Sequence, residues 1–133
     1  MELEQRARLA KDASRLLSAL DTNIKDNALQ KIADEIVLKS SSIVEANRRD
    51  LLRSEVAKLS APLVKRLKFD ELKIIETVDG VLSTISLPDP VGKTLLSTEL
   101  DEGLQLYKKS CPIGVIGVIF ESRPDALVQI STL

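Results

Sequence analysis

Three consecutive polar residues, Glu121, Ser122 and Arg123, follow a run of apolar residues and precede a helix start at Pro124. A guanidinium binds a carboxylate or a phosphate through two parallel hydrogen bonds, and a helix N-terminus adds positive potential for the same anion. Open α/β sheets bind ligands at such positions, beyond the carboxyl end of a parallel strand. The sequence therefore predicts an anion site at Arg123, and the alternative is a local ion pair with Glu121 or Asp125.

Two glycine motifs carry weaker signals. Gly92-Lys93-Thr94 ends like a phosphate-binding loop, but that motif requires glycine where residue 87 is leucine, and it follows a strand and not a helix. The pair Gly114 and Gly117 lies inside a predicted strand, where glycine permits close approach of a neighbouring backbone. Neither motif predicts a nucleotide site by itself.

Composition excludes several classes of protein. The chain contains no histidine and one cysteine, so a triad with histidine or a His/Cys metal site cannot be built from these residues, and no metal is predicted. Cys111 precedes the predicted strand, at the end opposite the anion site, and is interpreted as structural. A net charge of −1 with two Phe and one Tyr argues against nucleic-acid binding. With no secretory or membrane segment, a cytoplasmic protein is expected.

Residues 1–86 are predicted to be helical because they hold one glycine and one proline. Apolar stripes at helical spacing predict five helices that pack as core faces. Their predicted boundaries are Leu3 to Leu20, a start at Asn23, a capping box of Ser42 and Glu45, a start at Ser60-Ala61-Pro62, and a cap at Asp70.

After residue 86 the sequence changes character. Residues 94–100 and 104–109 are predicted to form a hairpin that turns at Gly103. Residues 112–120 are apolar without alternation, which predicts a strand buried on both faces of a parallel sheet. A second run of this kind is missing from the sequence, so the chain is expected to be part of a larger α/β protein or assembly.

These residues resemble a known family. Residues 111–125, Cys-Pro-Ile-Gly-Val-Ile-Gly-Val-Ile-Phe-Glu-Ser-Arg-Pro-Asp, are similar to the segment that opens the cofactor domain of the gamma-glutamyl phosphate reductase family. Further similar segments occur in the family's order: Lys31-Ile-Ala-Asp-Glu35, Ala46-Asn-Arg-Arg-Asp50, Arg66-Leu67, Asp89-Pro-Val-Gly92 and Leu100-Asp-Glu-Gly-Leu104.

The resemblance implies an α/β, aldehyde dehydrogenase-like fold, of which the chain would form an incomplete part. Residues 1–86 would be the N-terminal helical part of the cofactor-binding domain. Residues 87–110 would be a connecting loop and an oligomerisation-flap hairpin. Residues 111–133 would form the first strand and helix start of the Rossmann-like domain.

The implied activity is NADPH-dependent reduction of L-glutamyl 5-phosphate to L-glutamate 5-semialdehyde with release of phosphate, a step of proline biosynthesis. The family's nucleophilic cysteine is not matched by Cys111, so this chain holds no catalytic residue and is expected to be inactive alone. The resemblance implies that Phe120, Glu121 and Ser122 bind NADP(H). Arg123 takes the place of an asparagine of the wider superfamily, and we hypothesise that it binds the substrate phosphate or the developing oxyanion.

The resemblance also implies partners. A homo-oligomer is expected to form through the hairpin of residues 94–109. Residues 120–130 look most like eukaryotic-type sequences, in which the reductase can be fused behind a glutamate kinase, so that kinase is a candidate partner; Met1 favours a separate reductase. The rival interpretation is a non-catalytic helical interaction module whose terminal strand completes a partner's sheet.

Overall fold

The computed structural model describes residues 2–133, which divide into two compact units. The first unit comprises the residues up to Lys25 and Pro88–Gly117, and the second comprises Asp26–Leu87 and Val118–Leu133. The elements are α1 (Leu3–Leu17), α2 (Thr22–Leu38), α3 (Ser40–Val56), α4 (Ala61–Leu67), α5 (Glu71–Ile85), β1 (Thr94–Asp101), β2 (Leu104–Lys109) and α6 (Pro124–Ser131). The five predicted N-terminal helices, the hairpin and the helix that starts at Pro124 are confirmed.

The second unit is organised around α5. Asp70 caps this helix as predicted, since its carboxylate accepts a hydrogen bond of 3.1 Å from the Lys73 N–H. Hydrogen bonds from the Lys68 ammonium, 2.6 Å away, and from that N–H hold the pKa of Asp70 below its usual value. The helix packs against α3 and α6. Two apolar side chains of α5, Ile74 and Val81, form a small buried core of this unit together with Ala33, Phe69 and Ala126.

A buried asparagine connects α3 to the chain between α4 and α5. Ala46 of α3 is exposed, whereas the next residue, Asn47, is polar and only 7% exposed. The Asn47 side chain donates to the Leu67 carbonyl and accepts from the Phe69 N–H, each at 2.8 Å. Asn47 therefore satisfies both backbone groups at the turn that delivers Phe69 to the core.

The predicted capping box at Ser42 is wrong. The cap position of α3 is Lys39, and Ser42 lies within the first helical turn. Its hydroxyl donates 2.8 Å to the Lys39 carbonyl, which is the ordinary partner of a serine inside a helix. Because α2 ends at Leu38, the two helices are joined too closely to leave Ser42 outside α3.

Gly80→Ala is expected to stabilise the second unit by about 0.5 to 1 kcal/mol. Glycine inside a helix loses more conformational entropy on folding than alanine, and a Cβ at this position meets no atom within 4 Å. The measurement is amide hydrogen exchange of α5 in the intact protein. The matched control is Gly103→Ala, which should lower protection of the hairpin because the φ of Gly103 is +74°. Equal effects of the two variants would contradict this account.

The hairpin of the first unit is antiparallel and turns at Gly103 as predicted. Thr98 pairs with Leu106 and Glu99 with Gln105, and every residue of both strands is exposed. The register places three leucines on one face, and each is slightly more than half exposed. These leucines are Leu96, Leu104 and Leu106. The hairpin thus presents an unpaired aliphatic face to solvent.

The predicted strand at residues 112–120 is not formed. The segment has no ladder partner among residues 2–133, and all its side chains are exposed, with Ile113 at 91%. Gly114 has a φ of +109°, outside the conformation of a regular strand. A β-strand requires a hydrogen-bonded neighbour, and the described residues offer none to this apolar segment. The predicted parallel sheet is therefore not seen in the part of the chain described.

The core role predicted for the stripe on α1 is also not observed. None of the residues of this helix is buried, and Leu3 and Leu17 are 83% and 53% exposed. An amphipathic stripe is buried only where another element covers it. Within the first unit, as far as it is described, nothing encloses this face.

Candidate functional site

The predicted site residues lie in the second unit, where the chain enters α6. Ser122 has a φ of +54°, and Arg123 follows at the cap position of α6 with a φ of −139° and a ψ of 80°. Pro124 is the first helical residue, where its fixed φ suits the helix and its missing N–H costs nothing. The sharp change of direction at Ser122 separates the extended segment from the helix.

Arg123 is exposed, and its side chain caps no helix amide. Its guanidinium forms no ion pair with Glu121 or Asp125, as judged within residues 2–133 at a limit of 4.0 Å. The local ion pair considered as the alternative is therefore not formed. The guanidinium is available to an external anion beside the positive end of α6, while Asp125 in the first helical turn limits that potential.

The three other predicted residues flank Arg123 in the chain. The Phe120 side chain is 41% exposed, Glu121 is exposed, and Ser122 is half-buried. A positive φ at a residue other than glycine costs on the order of 1 kcal/mol and occurs often at ligand sites. An accessible aromatic ring, a hydroxyl and a helix N-terminus are groups that fit the ring and phosphate portions of a dinucleotide.

Other features that could indicate a function are a reactive cysteine, a metal site and a membrane-spanning helix. Cys111 is exposed and has no disulfide partner. In the described part of the chain no three His, Cys, Asp or Glu side chains gather as metal ligands. None of the helices between residues 2 and 133 combines the length and apolarity of a membrane span.

A polar junction in the first unit was missed by the sequence interpretation. One carboxylate oxygen of Asp89, Oδ2, lies 2.7 Å from Lys25 Nζ and 3.1 Å from Thr22 Oγ1. The other oxygen accepts from the Val91 N–H at 2.9 Å. The hydrogen bond from Lys25, then those from Val91 and Thr22, lower the pKa of Asp89 to about 2. The only signal in the sequence was the Asp-Pro-Val-Gly segment, which gives no indication of the partners.

The known proteins to which this chain is similar carry one name, gamma-glutamyl phosphate reductase. The chain is 60% identical over 133 residues to gamma-glutamyl phosphate reductase of Pelotomaculum thermopropionicum, and 42% identical over 138 residues to the probable gamma-glutamyl phosphate reductase of Schizosaccharomyces pombe. Both alignments include 100% of this chain and 31% of the relative. No protein-family model matches the chain. Over the whole chain, this bacterial relative is therefore more similar than the fungal one.

Solved structures give the same result. The chain superimposes on gamma-glutamyl phosphate reductase of Thermotoga maritima with a TM-score of 0.96 and 33% identity, covering 100% of this chain and 32% of that one. For the Saccharomyces cerevisiae enzyme the TM-score is 0.94 and the identity 35%, covering 99% of this chain and 34% of that one. The chain thus spans about a third of the length of these two structures and of the two relatives above.

Proposed function

This chain is similar in sequence and fold, along its whole length, to the gamma-glutamyl phosphate reductases, and from that premise we propose that it forms part of such an enzyme. The reaction is reduction of L-glutamyl 5-phosphate to L-glutamate 5-semialdehyde with release of phosphate, in proline biosynthesis. The observation that carries the proposal is 60% identity across all 133 residues. No similarity supports the alternative of a non-catalytic interaction module.

Arg123 is the residue of this chain that meets the substrate in the proposed enzyme. L-glutamyl 5-phosphate is an anion, and negative charge develops on its carbonyl oxygen as the carbonyl is attacked. A guanidinium without a carboxylate partner can bind the phosphate or that oxygen, and the N-terminus of α6 points positive potential in the same direction. Arg123 thereby orients the acyl phosphate and stabilises its charge.

Phe120, Glu121 and Ser122 would hold NADP(H) beside the substrate. The Phe120 ring, on a residue that is 41% exposed, fits a planar group, and the Ser122 hydroxyl and the first turn of α6 suit a phosphate. NADPH, when bound, supplies the hydride that reduces the acyl carbon. In this proposal residues 111–133 begin a Rossmann-like domain, in which the apolar segment 112–120 becomes a strand when strands from outside this chain pair with it, and residues 1–86 are its helical part.

The hairpin of residues 94–109 is the proposed contact between subunits of a homo-oligomer. Its aliphatic face, formed by Leu96, Leu104 and Leu106, is exposed in the isolated chain. Burial of such a face is favourable by roughly 25 cal/mol per Å² of apolar surface. The proposed location is the cytoplasm, and a glutamate kinase is the proposed source of the unstable acyl phosphate.

The test is an assay of the complete protein that contains this chain. The reverse reaction avoids the labile substrate: L-glutamate 5-semialdehyde and phosphate should reduce NADP⁺ and yield the acyl phosphate. We expect turnover that requires phosphate and is faster with NADP⁺ than with NAD⁺, and no turnover by residues 1–133 alone. Absence of phosphate-dependent turnover in the complete, folded protein would refute the proposed function.

A further inference from the structure

The two ends of the hairpin are fastened together by a closed hydrogen-bonded neck, defined here as residues 88–93 and Ser110. The Gly92 N–H donates 3.0 Å to the Ser110 carbonyl, and the Ser110 N–H donates 2.9 Å to the Lys93 carbonyl. The Ser110 hydroxyl donates to the Pro90 carbonyl and accepts from the Lys93 N–H. The neck is therefore a fixed base for the hairpin and not a flexible linker.

Asp89 attaches this neck to the first turn of α2. The Oδ2 atom of Asp89 accepts hydrogen bonds from Lys25 Nζ and Thr22 Oγ1, and its Oδ1 atom accepts one from the Val91 N–H within the neck. The Lys25 and Asp89 side chains are only 20% and 16% exposed. Six of the seven other ion pairs among residues 2–133 join residues three or four apart, and every side chain in those six pairs is at least 47% exposed.

The partly buried position of this pair favours a geometric role over a stabilising one. Removing two charges from water costs much of what their attraction returns, so such a pair adds little net stability. The three hydrogen bonds that Asp89 accepts nevertheless join the neck to the first turn of α2. The hairpin needs such a constraint, because every residue of its strands is exposed. An isolated two-stranded sheet is itself only marginally stable.

We infer that Asp89 is a positioning residue for subunit assembly, which holds the hairpin in its binding orientation before a second copy of the chain arrives. This inference rests on the proposed oligomerisation through the hairpin. The hairpin contributes the contacting side chains, whereas Asp89 contributes preorganisation. Fixing a binding element in its bound orientation improves affinity because less freedom is lost on association.

The decisive variant is Asp89→Asn in the complete protein. The amide keeps the size of the side chain but loses the ionic partner of Lys25, so we expect the dissociation constant of the oligomer to rise about tenfold or more. Sedimentation velocity over a range of concentrations measures this change. Amide exchange at Val91 and Gly92 should become faster in the same sample. Thr22→Val provides a second, milder variant in case Asp89→Asn does not fold.

The matched control is Asp12→Asn, which removes an acidic group of the same unit whose ion pair with Arg15 is 71% exposed at the aspartate. It should leave association and exchange unchanged. Suppose that Leu106→Asp breaks assembly, whereas Asp89→Asn speeds amide exchange at the neck but leaves the dissociation constant unchanged. The hairpin contact would then stand, and the role of Asp89 in assembly would be refuted. If Leu106→Asp also leaves assembly intact, both the hairpin contact and this inference fail.

Discussion

Replacement of Arg123 by alanine in the complete reductase is expected to lower kcat/KM by about 10²- to 10³-fold, the scale of losing one donor to a developing oxyanion. The reason is that this guanidinium is exposed, lies at the start of α6 and has no ion pair with Glu121 or Asp125. Steady-state kinetics in the forward and reverse directions measure the effect. The thermal midpoint should change little because, among residues 2–133, the Arg123 side chain forms neither a hydrogen bond nor an ion pair and is exposed.

The two roles considered for Arg123 separate in the kinetics. If the guanidinium binds the phosphate in the ground state, KM for phosphate in the reverse reaction rises and kcat falls little. If it stabilises the oxyanion, kcat and kcat/KM fall together. Arg123→Lys retains the charge but not the paired donors, so it should recover only part of the loss. Gln129→Ala, at an exposed position of the same helix α6, is the control, and a loss equal to that of Arg123→Ala would indicate a general disturbance of this part of the chain.

The helices and the hairpin could be predicted because their signals are local. The carboxylate of Asp70, the proline at position 62 and the glycine at position 103 each act on neighbouring backbone groups, and each marks its boundary correctly. Ser42 misled because its hydroxyl can bond forward as a cap or backward to a carbonyl. Because α2 and α3 are closely joined, Ser42 lies inside α3 and its hydroxyl bonds backward to the Lys39 carbonyl.

What the sequence did not reveal depends on partners distant in the chain. The apolar run at residues 112–120 has the composition of a buried strand, but its ladder must come from another segment, and residues 2–133 supply none. Asp89 was recognised only as part of a motif, since Lys25 lies 64 positions away. At the candidate site, the exposed guanidinium of Arg123 was foreseeable from its position before Pro124, whereas the positive φ of Ser122 was not.

Asn47→Leu is expected to destabilise the second unit by about 2 to 4 kcal/mol. Leucine has the same number and branching of side-chain heavy atoms, although its methyl groups are bulkier, but the Leu67 carbonyl and the Phe69 N–H both lose their partner. A buried backbone group left without a hydrogen bond costs about 1 to 3 kcal/mol. Urea unfolding of the complete protein measures the loss of unfolding free energy. Amide hydrogen exchange of α5, in a separate experiment, shows whether the loss lies in the second unit.

The comparison with Ser54→Ala identifies the cause. Ser54 is also polar, 3% exposed and on α3, but its hydroxyl only donates to the Leu51 carbonyl of its own helix. Its removal leaves no backbone group of another segment unpaired, so a cost within about 0.5 to 1.5 kcal/mol is expected. Equal losses in the two variants would mean that Asn47 acts by polarity alone. A much larger loss at Asn47 would show that one side chain holds the turn that places Phe69 in the core.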